Sequence, residues 1–403
     1  MKRKIIRNYA IFVALEGLAI SFFFATYQLF LVEKGLSLLE INLLNCGFMV
    51  ASFLFEIPTG AIADSFGRKR SVIVGLWLFA FSFLMYFLAD NFWQFLTAEI
   101  IGALAATCIS GAKEALVFDS LSAHGEQDSS RELFRKAEIR IIGTIVGVTI
   151  GSFAGGFDLA WPWLLSAIAF SLLALVANFL LPNDEEGRKI IFKSKKFKFD
   201  FGSLKNIARE SIDYGWKNRQ LMTMIYFFAI FSFAVVPINM YWPILLKNNF
   251  SVPTEFMGLV FVGIALSVYG GAQFSKLWQK RIKCEKNAIF FSQILTLLGI
   301  VGCLLFSKLS PFLVFFLLHE AGRGLLRPLY RDYVNRSIES RNRATVLSFE
   351  SMITKAAAGL GLVLSGVMAD SFGILSSWSF SALVLLVGII WFYGKNKKHN
   401  PSL

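Results

Sequence analysis

Apolar stretches long enough to cross a bilayer recur along almost the whole of this 403-residue chain, separated by short polar gaps. About 20 predominantly apolar residues span the hydrocarbon core as a helix, because a backbone in lipid must satisfy its own hydrogen bonds. By that measure helices are expected near 8–33, 38–62, 70–89, 92–119, 133–155 and 160–181, then near 221–246, 254–279, 286–306, 311–334, 343–369 and 374–394. A lysine-rich polar stretch from Pro182 to about Gln220 divides them. The expected fold is all-α and integral to the membrane, with twelve spans in two six-helix bundles: 1–182, a cytoplasmic linker over 183–219, and 220–403.

Composition removes the main alternative. With 56% hydrophobic residues, 43 Phe, 17% charged residues and a mean hydropathy of +0.60, the chain is too apolar for a soluble enzyme of its length. A net charge of +13 would suggest nucleic acid in a soluble protein. Here the cations gather in the gaps, as cytoplasmic loops of membrane proteins require. With both termini cytoplasmic, the external loops carry only Lys34, Lys247 and Lys308. The internal ones hold Arg68 to Arg70, Arg188 to Lys198, Lys280 to Lys286, Arg341, Arg343 and Lys395 to Lys398. After Met-Lys-Arg-Lys no small-residue cleavage site follows a short apolar region, so the first helix is expected to be retained. Within the linker, Phe199, Phe201, Leu204, Ile207, Ala208 and Ile212 recur at helical spacing among Lys205, Arg209 and Asp213, predicting an amphipathic helix on the inner leaflet.

Two spans flank the tight basic turn Gly60-Ala-Ile-Ala-Asp64-Ser-Phe-Gly67-Arg68-Lys69-Arg70. This segment resembles motif A of the major facilitator superfamily, which joins the second and third helices of those transporters. Similar segments recur in the second half: Gly60-Ala61 through Lys69-Arg70 pairs with Gly271-Ala272 through Lys280-Arg281 at an offset of about 211 residues. Gly111 and Asp119 pair with Gly324 and Asp332 at a closely similar offset, and Glu138 with Glu350 falls between. Such an offset implies two parallel, pseudo-symmetric bundles with substrate bound between them. The resemblance further implies that Asp64 and Arg68 form a charge cluster with Asp119 that locks the bundles in one state, Gly60 and Gly67 allowing close helix approach. Lys69 and Arg70 are expected to serve topology alone.

A charge at bilayer depth costs at least about 2.5 kcal/mol and normally faces a partner or a watery cavity. Ionisable residues in the spans are therefore candidate proton or substrate sites: Glu16, Glu99, Glu320 with Arg323, and Glu350 with Lys355. The resemblance places Glu16, Glu99, Glu320 and Arg323 on cavity-lining helices. A lone carboxylate there can exchange protons near neutral pH and couple a proton gradient to solute movement, a role suited to Glu16 and Glu99. The competing role is a fixed ion pair, Glu320 with Arg323 or Glu350 with Lys355. Lys113 and Glu114 are expected to snorkel to the interface.

The drug/proton antiporter branch is the nearest match, with two departures. Its fourth-helix motif has an arginine where this chain has Glu99-Ile-Ile-Gly102, and its fifth-helix proline is missing beside Gly143, Gly147, Gly151 and Gly155-Gly156. Small residues at that spacing first suggest a close helix contact. The expected function is proton-coupled efflux of small amphipathic molecules by alternating access, in a monomer in a prokaryotic plasma membrane. The alternative is a proton-coupled importer of a sugar or organic acid, which Arg323 or Lys355 would suit. No phosphate loop, HExxH or serine elbow occurs, so neither ATP hydrolysis nor enzyme activity is expected. His124, His319 and His399 are scattered and Cys46, Cys108, Cys284 and Cys303 form no CxxC pair, so no metal, disulfide or cofactor is expected.

Overall fold

The computed structural model describes residues 2–123, 132–133, 138–184, 219–281, 285–338 and 343–397. Among these the regular secondary structure is all helix, and eleven helical stretches are long and apolar enough to cross a membrane. The predicted 199–213 helix, His124, His399 and Cys284 lie outside the described residues. Only 17% to 61% of each apolar window is buried, and large side chains such as Phe179, Val314, Phe153 and Leu259 point outward. A surface this greasy is stable only against lipid.

The helices are α1 (Lys2–Ser21), α2 (Tyr27–Glu33), α3 (Leu38–Phe66), α4 (Arg68–Leu88), α5 (Phe92–Ile109), α6 (Ala112–Ala123), α7 (Arg140–Phe157), α8 (Trp161–Leu180), α9 (Arg219–Phe250), α10 (Met257–Arg281), α11 (Glu285–Leu305), α12 (Leu309–Ser337), α13 (Arg343–Phe372) and α14 (Ile374–Lys397). They fall into two compact units. One comprises 1–36, 43–198 and 252–261; the other 37–42, 199–251 and 262–403. The units do not follow chain order strictly, because the first turn of α3 belongs with the second unit and the start of α10 with the first.

Two expected spans are broken. The first, 8–33, is α1 and α2 divided by turns at 22–26. The fourth continues beyond 119 and is divided at Ser110-Gly111, where Ser110 is extended and Gly111 takes φ +71°, a conformation without steric cost only for glycine. Each break re-aims a polar residue inward, as described below.

In the first unit α1 packs on α7, and α4 on α5 and α8. The glycine ladder is the α1–α7 contact. A Cβ on Gly143 would lie 1.9 Å from Ala14 O, on Gly147 2.4 Å from Leu18 O, and on Gly151 1.8 Å from Phe22 O. Ser21 Oγ donates to Thr144 O across the same contact, 3.1 Å. Gly151→Ala is therefore expected to push α1 from α7 at a cost of about 1–3 kcal/mol, visible as a lower melting temperature in detergent. An unchanged melt would remove the ladder from the packing core. In the second unit α11 packs on α12, and α9 on α13 and α14. Buried Trp378 of α14 anchors there by donating Nε1–H to Pro237 O, 3.2 Å.

Candidate functional site

The tight turn between α3 and α4 assembles the expected trio. Arg68 donates from Nε and Nη2 to Asp64 Oδ1, both 3.2 Å, and from Nη1 to Asp119 Oδ2 on α6. Asp64 and Arg68 meet because four residues separate them across the junction. Asp119 arrives because the Gly111 break lets α6 continue past the end of α5. Gly67 takes φ +110°, which fixes glycine there, and a Cβ would also stand 2.5 Å from Asp184 Oδ2. Among the described residues nothing lies within 4 Å of a Cβ added to Gly60. Lys69 exceeds its topological role. Its ammonium donates to Asn178 O and Asn183 Oδ1, both 2.8 Å, and its backbone N–H donates to Asp184 Oδ1, 3.1 Å. Asp184 was hidden in the sequence because it lies among unremarkable linker acids.

Deeper in the first unit the two candidate carboxylates part company. Glu16 accepts from Lys113 Nζ through both oxygens, at 2.8 and 2.7 Å, and both residues are buried. Lys113 therefore does not snorkel: the turn at Gly111 points it inward, and Glu16 is the fixed ion pair that the sequence suggested for others. Among the described residues Glu99 has no cation partner. It is half-buried on α5, and its Oε1 accepts from Tyr27 Oη at 3.1 Å and from Tyr86 Oη. Asn45 Nδ2 in turn donates to Tyr27 Oη, 3.2 Å. Trp163 stacks on Tyr86, 4.0 Å between centroids at 7°, and on Phe23, 4.2 Å at 12°. Buried Trp163 also meets the Tyr27 ring at a tilt, 5.9 Å between centroids, so it packs against both phenols, and the break after Ser21 is what brings Tyr27 there. Neither tyrosine nor Trp163 was legible as part of a carboxylate site, since aromatics in a membrane bundle ordinarily pack.

In the second unit Arg323 Nη1 donates to Glu320 Oε1 and Oε2, at 2.7 and 2.6 Å, and to Asn239 Oδ1 on α9. Glu320 is buried, His319 Nδ1 stands 3.5 Å from its Oε1, and the Arg323 side chain keeps 27% exposure. The Glu350–Lys355 pair is not formed. Five residues on a helix point to different faces, and Glu350 accepts instead from Tyr330 Oη at 3.0 Å and Thr354 Oγ1 at 3.4 Å. Among the described residues no His, Cys, Asp or Glu group could hold a metal ion.

Apolar helices, paired charges at a tight basic turn and partnered or phenol-held carboxylates at membrane depth define a polytopic solute transporter rather than an enzyme. The sequence pattern of the Major Facilitator Superfamily matches residues 9–277 and 221–403, and the chain belongs to that superfamily. It is 24% identical over 397 residues to the MFS-type transporter YxaM of Bacillus subtilis (strain 168), covering 94% of this chain and 93% of that one. It is 21% identical over 347 residues to the quinolone resistance protein NorA of Staphylococcus aureus, covering 85% and 84%. Among solved structures, the nucleoside transporter NupG superposes with a TM-score of 0.78 at 16% identity, over 98% of this chain and 99% of that one. A bacterial homolog of human Spinster, inward-facing and unoccupied, gives 0.73 at 13%, over 96% and 95%. At these identities the structural likeness establishes the fold: two pseudo-symmetric six-helix bundles integral to the membrane.

Proposed function

We propose that this transporter is a proton-coupled exporter of small amphipathic molecules, working as a monomer in a prokaryotic plasma membrane by alternating access of the 1–182 and 220–403 bundles. One observation carries the proposal: Glu99 is the carboxylate at membrane depth in the first unit that has phenol donors and, among the described residues, no cation. It can take up a proton without stranding a cation, and its two phenol donors solvate the anion when the proton leaves, whereas protonating Glu16 or Glu320 would each strand a cation. Glu16 is therefore assigned to structure and Glu99 to coupling. Similarity to the quinolone resistance protein NorA and to the multidrug resistance protein MdtH of Yersinia enterocolitica, 23% identical over 353 residues, favours efflux. Asp64, Arg68 and Asp119 serve as the conformational gate, its rupture accompanying opening of that end.

The importer reading draws on the part-exposed Arg323 guanidinium, which would suit an anionic solute. Vesicles separate the two whatever the orientation of insertion. An antiporter accumulates a fluorescent quinolone in vesicles with an acidic interior, above protein-free controls, as protons leave. A symporter accumulates solute only with the acid outside. Accumulation confined to outside-acid vesicles would overturn the exporter proposal.

A further inference from the structure

The gate motif occurs twice. Gly60-Ala-Ile-Ala-Asp64-Ser-Phe-Gly67 at the end of α3 is echoed by Gly366-Val-Met-Ala-Asp370-Ser-Phe-Gly373 at the end of α13. The copies differ only at Ala61/Val367 and Ile62/Met368. Both close on a glycine in the left-handed region, φ +110° at Gly67 and +86° at Gly373, before a new helix starts. The second copy lacks the cations: Arg68-Lys69-Arg70 becomes Ile374-Leu375-Ser376.

The second copy grips the opposite end of the helix that carries the first. Asp370 accepts from Leu38 N at Oδ1 and from Leu39 N at Oδ2, both 2.9 Å. Ser37 and Glu40 form a capping box, Ser37 Oγ accepting from Glu40 N at 3.2 Å and Glu40 Oε2 accepting from Ser37 N at 2.8 Å. Asp370 thus takes the two first-turn donors of α3 that the helix cannot satisfy itself, and its charge complements the positive helix end. Gly366 lets the chains meet, since an added Cβ would stand 2.7 Å from Leu39 Cα. One turn further in, fully buried Asn42 donates to Tyr241 Oη at 2.6 Å and Leu362 O at 2.7 Å, with Ser365 Oγ at 3.3 Å. The first turn of α3 therefore belongs to the second unit while the rest of the helix belongs to the first. A helix of 29 residues is about 43 Å long, so its two ends stand on opposite faces of a bilayer core about 30 Å thick.

We propose that Gly366–Gly373 is a second gate, with Asp370 clasping the Leu38 end of α3 in this state and releasing it when that end opens. The two copies of one motif then govern the two ends of one helix. A clasp made of an exposed carboxylate and two amides suits this role, because its donors and acceptor can each be taken over by water on release. A cap serving stability alone would lower the melting point without changing which end is accessible.

The test uses the full chain in detergent and needs no substrate, so its failure would leave the efflux proposal standing. Ser365→Cys, buried beneath the clasp, is alkylated with N-ethylmaleimide and read by peptide-resolved mass spectrometry, with native buried Cys303 as the internal reference. Asp370→Asn is expected to raise alkylation at 365 about fivefold while Cys303 stays unchanged. Gly366→Val, which keeps the carboxylate but wedges the contact, is expected to act in the same direction and carries the test if the first variant folds poorly. Asp64→Asn, at the other end of α3, is expected not to raise labelling at 365. Unchanged labelling at 365 in both clasp variants, or a parallel rise at 365 and Cys303, would overturn the proposal.

Discussion

Glu99→Gln is expected to abolish accumulation of the quinolone in inside-acid vesicles while leaving solute exchange at equal pH measurable. Glutamine is nearly isosteric and still accepts from Tyr27 and Tyr86, so the site keeps its shape and loses only the group that changes charge. The loss comes from the proton cycle: without a titrating group the gradient no longer biases the two states. A fold-wide effect is checked by the melting temperature, which is expected to stay within about 1 kcal/mol equivalent of the parent because no charge is left unpaired. Uphill movement at the parental rate in this variant would remove Glu99 as the coupling site. Glu16→Gln offers the contrast. It leaves Lys113 buried without its carboxylate, so its primary readout is stability.

Lys113→Ala is expected to cost about 3–5 kcal/mol, the range found when one member of a buried ion pair is removed and the other is left charged in a low dielectric. Both side chains are under 10% exposed, at 9% for Lys113 and 7% for Glu16, so water cannot take over the solvation of the stranded carboxylate. The double change Lys113→Met with Glu16→Gln is expected to recover most of the loss, because it removes both charges together. Denaturant titration in mixed micelles would measure both variants against the parent. Parental stability of Lys113→Ala would show that Glu16 has another neutralising group, and would return it to the coupling candidates.

The sequence carried some of these residues plainly and hid others for a definite reason. Asp64, Arg68 and Asp119 were legible because a four-residue spacing across a glycine turn and a resembling motif both point to them. Glu320 with Arg323 was legible because three residues on a helix place both on one face. Glu16 with Lys113 was not, since 97 residues separate them and the helix break at Gly111, not any local pattern, turns Lys113 inward. The Glu99 site was half legible. Its carboxylate stood out as a charge in an apolar run, but Tyr27 lies 72 residues away and its arrival depends on the interruption between α1 and α2.

By itself the sequence determined that this chain must live in a membrane as helices in two matched halves, because lipid accepts little else and the apolar runs leave no other length scale. It also located the Asp64–Arg68 pair, because those two residues are neighbours along one turn. Which carboxylate is paired, which is held by phenols and which caps a distant helix end was decided only by the tertiary structure. Those outcomes depend on where helices break and how closely glycines let them pack, and they join residues tens to hundreds of positions apart.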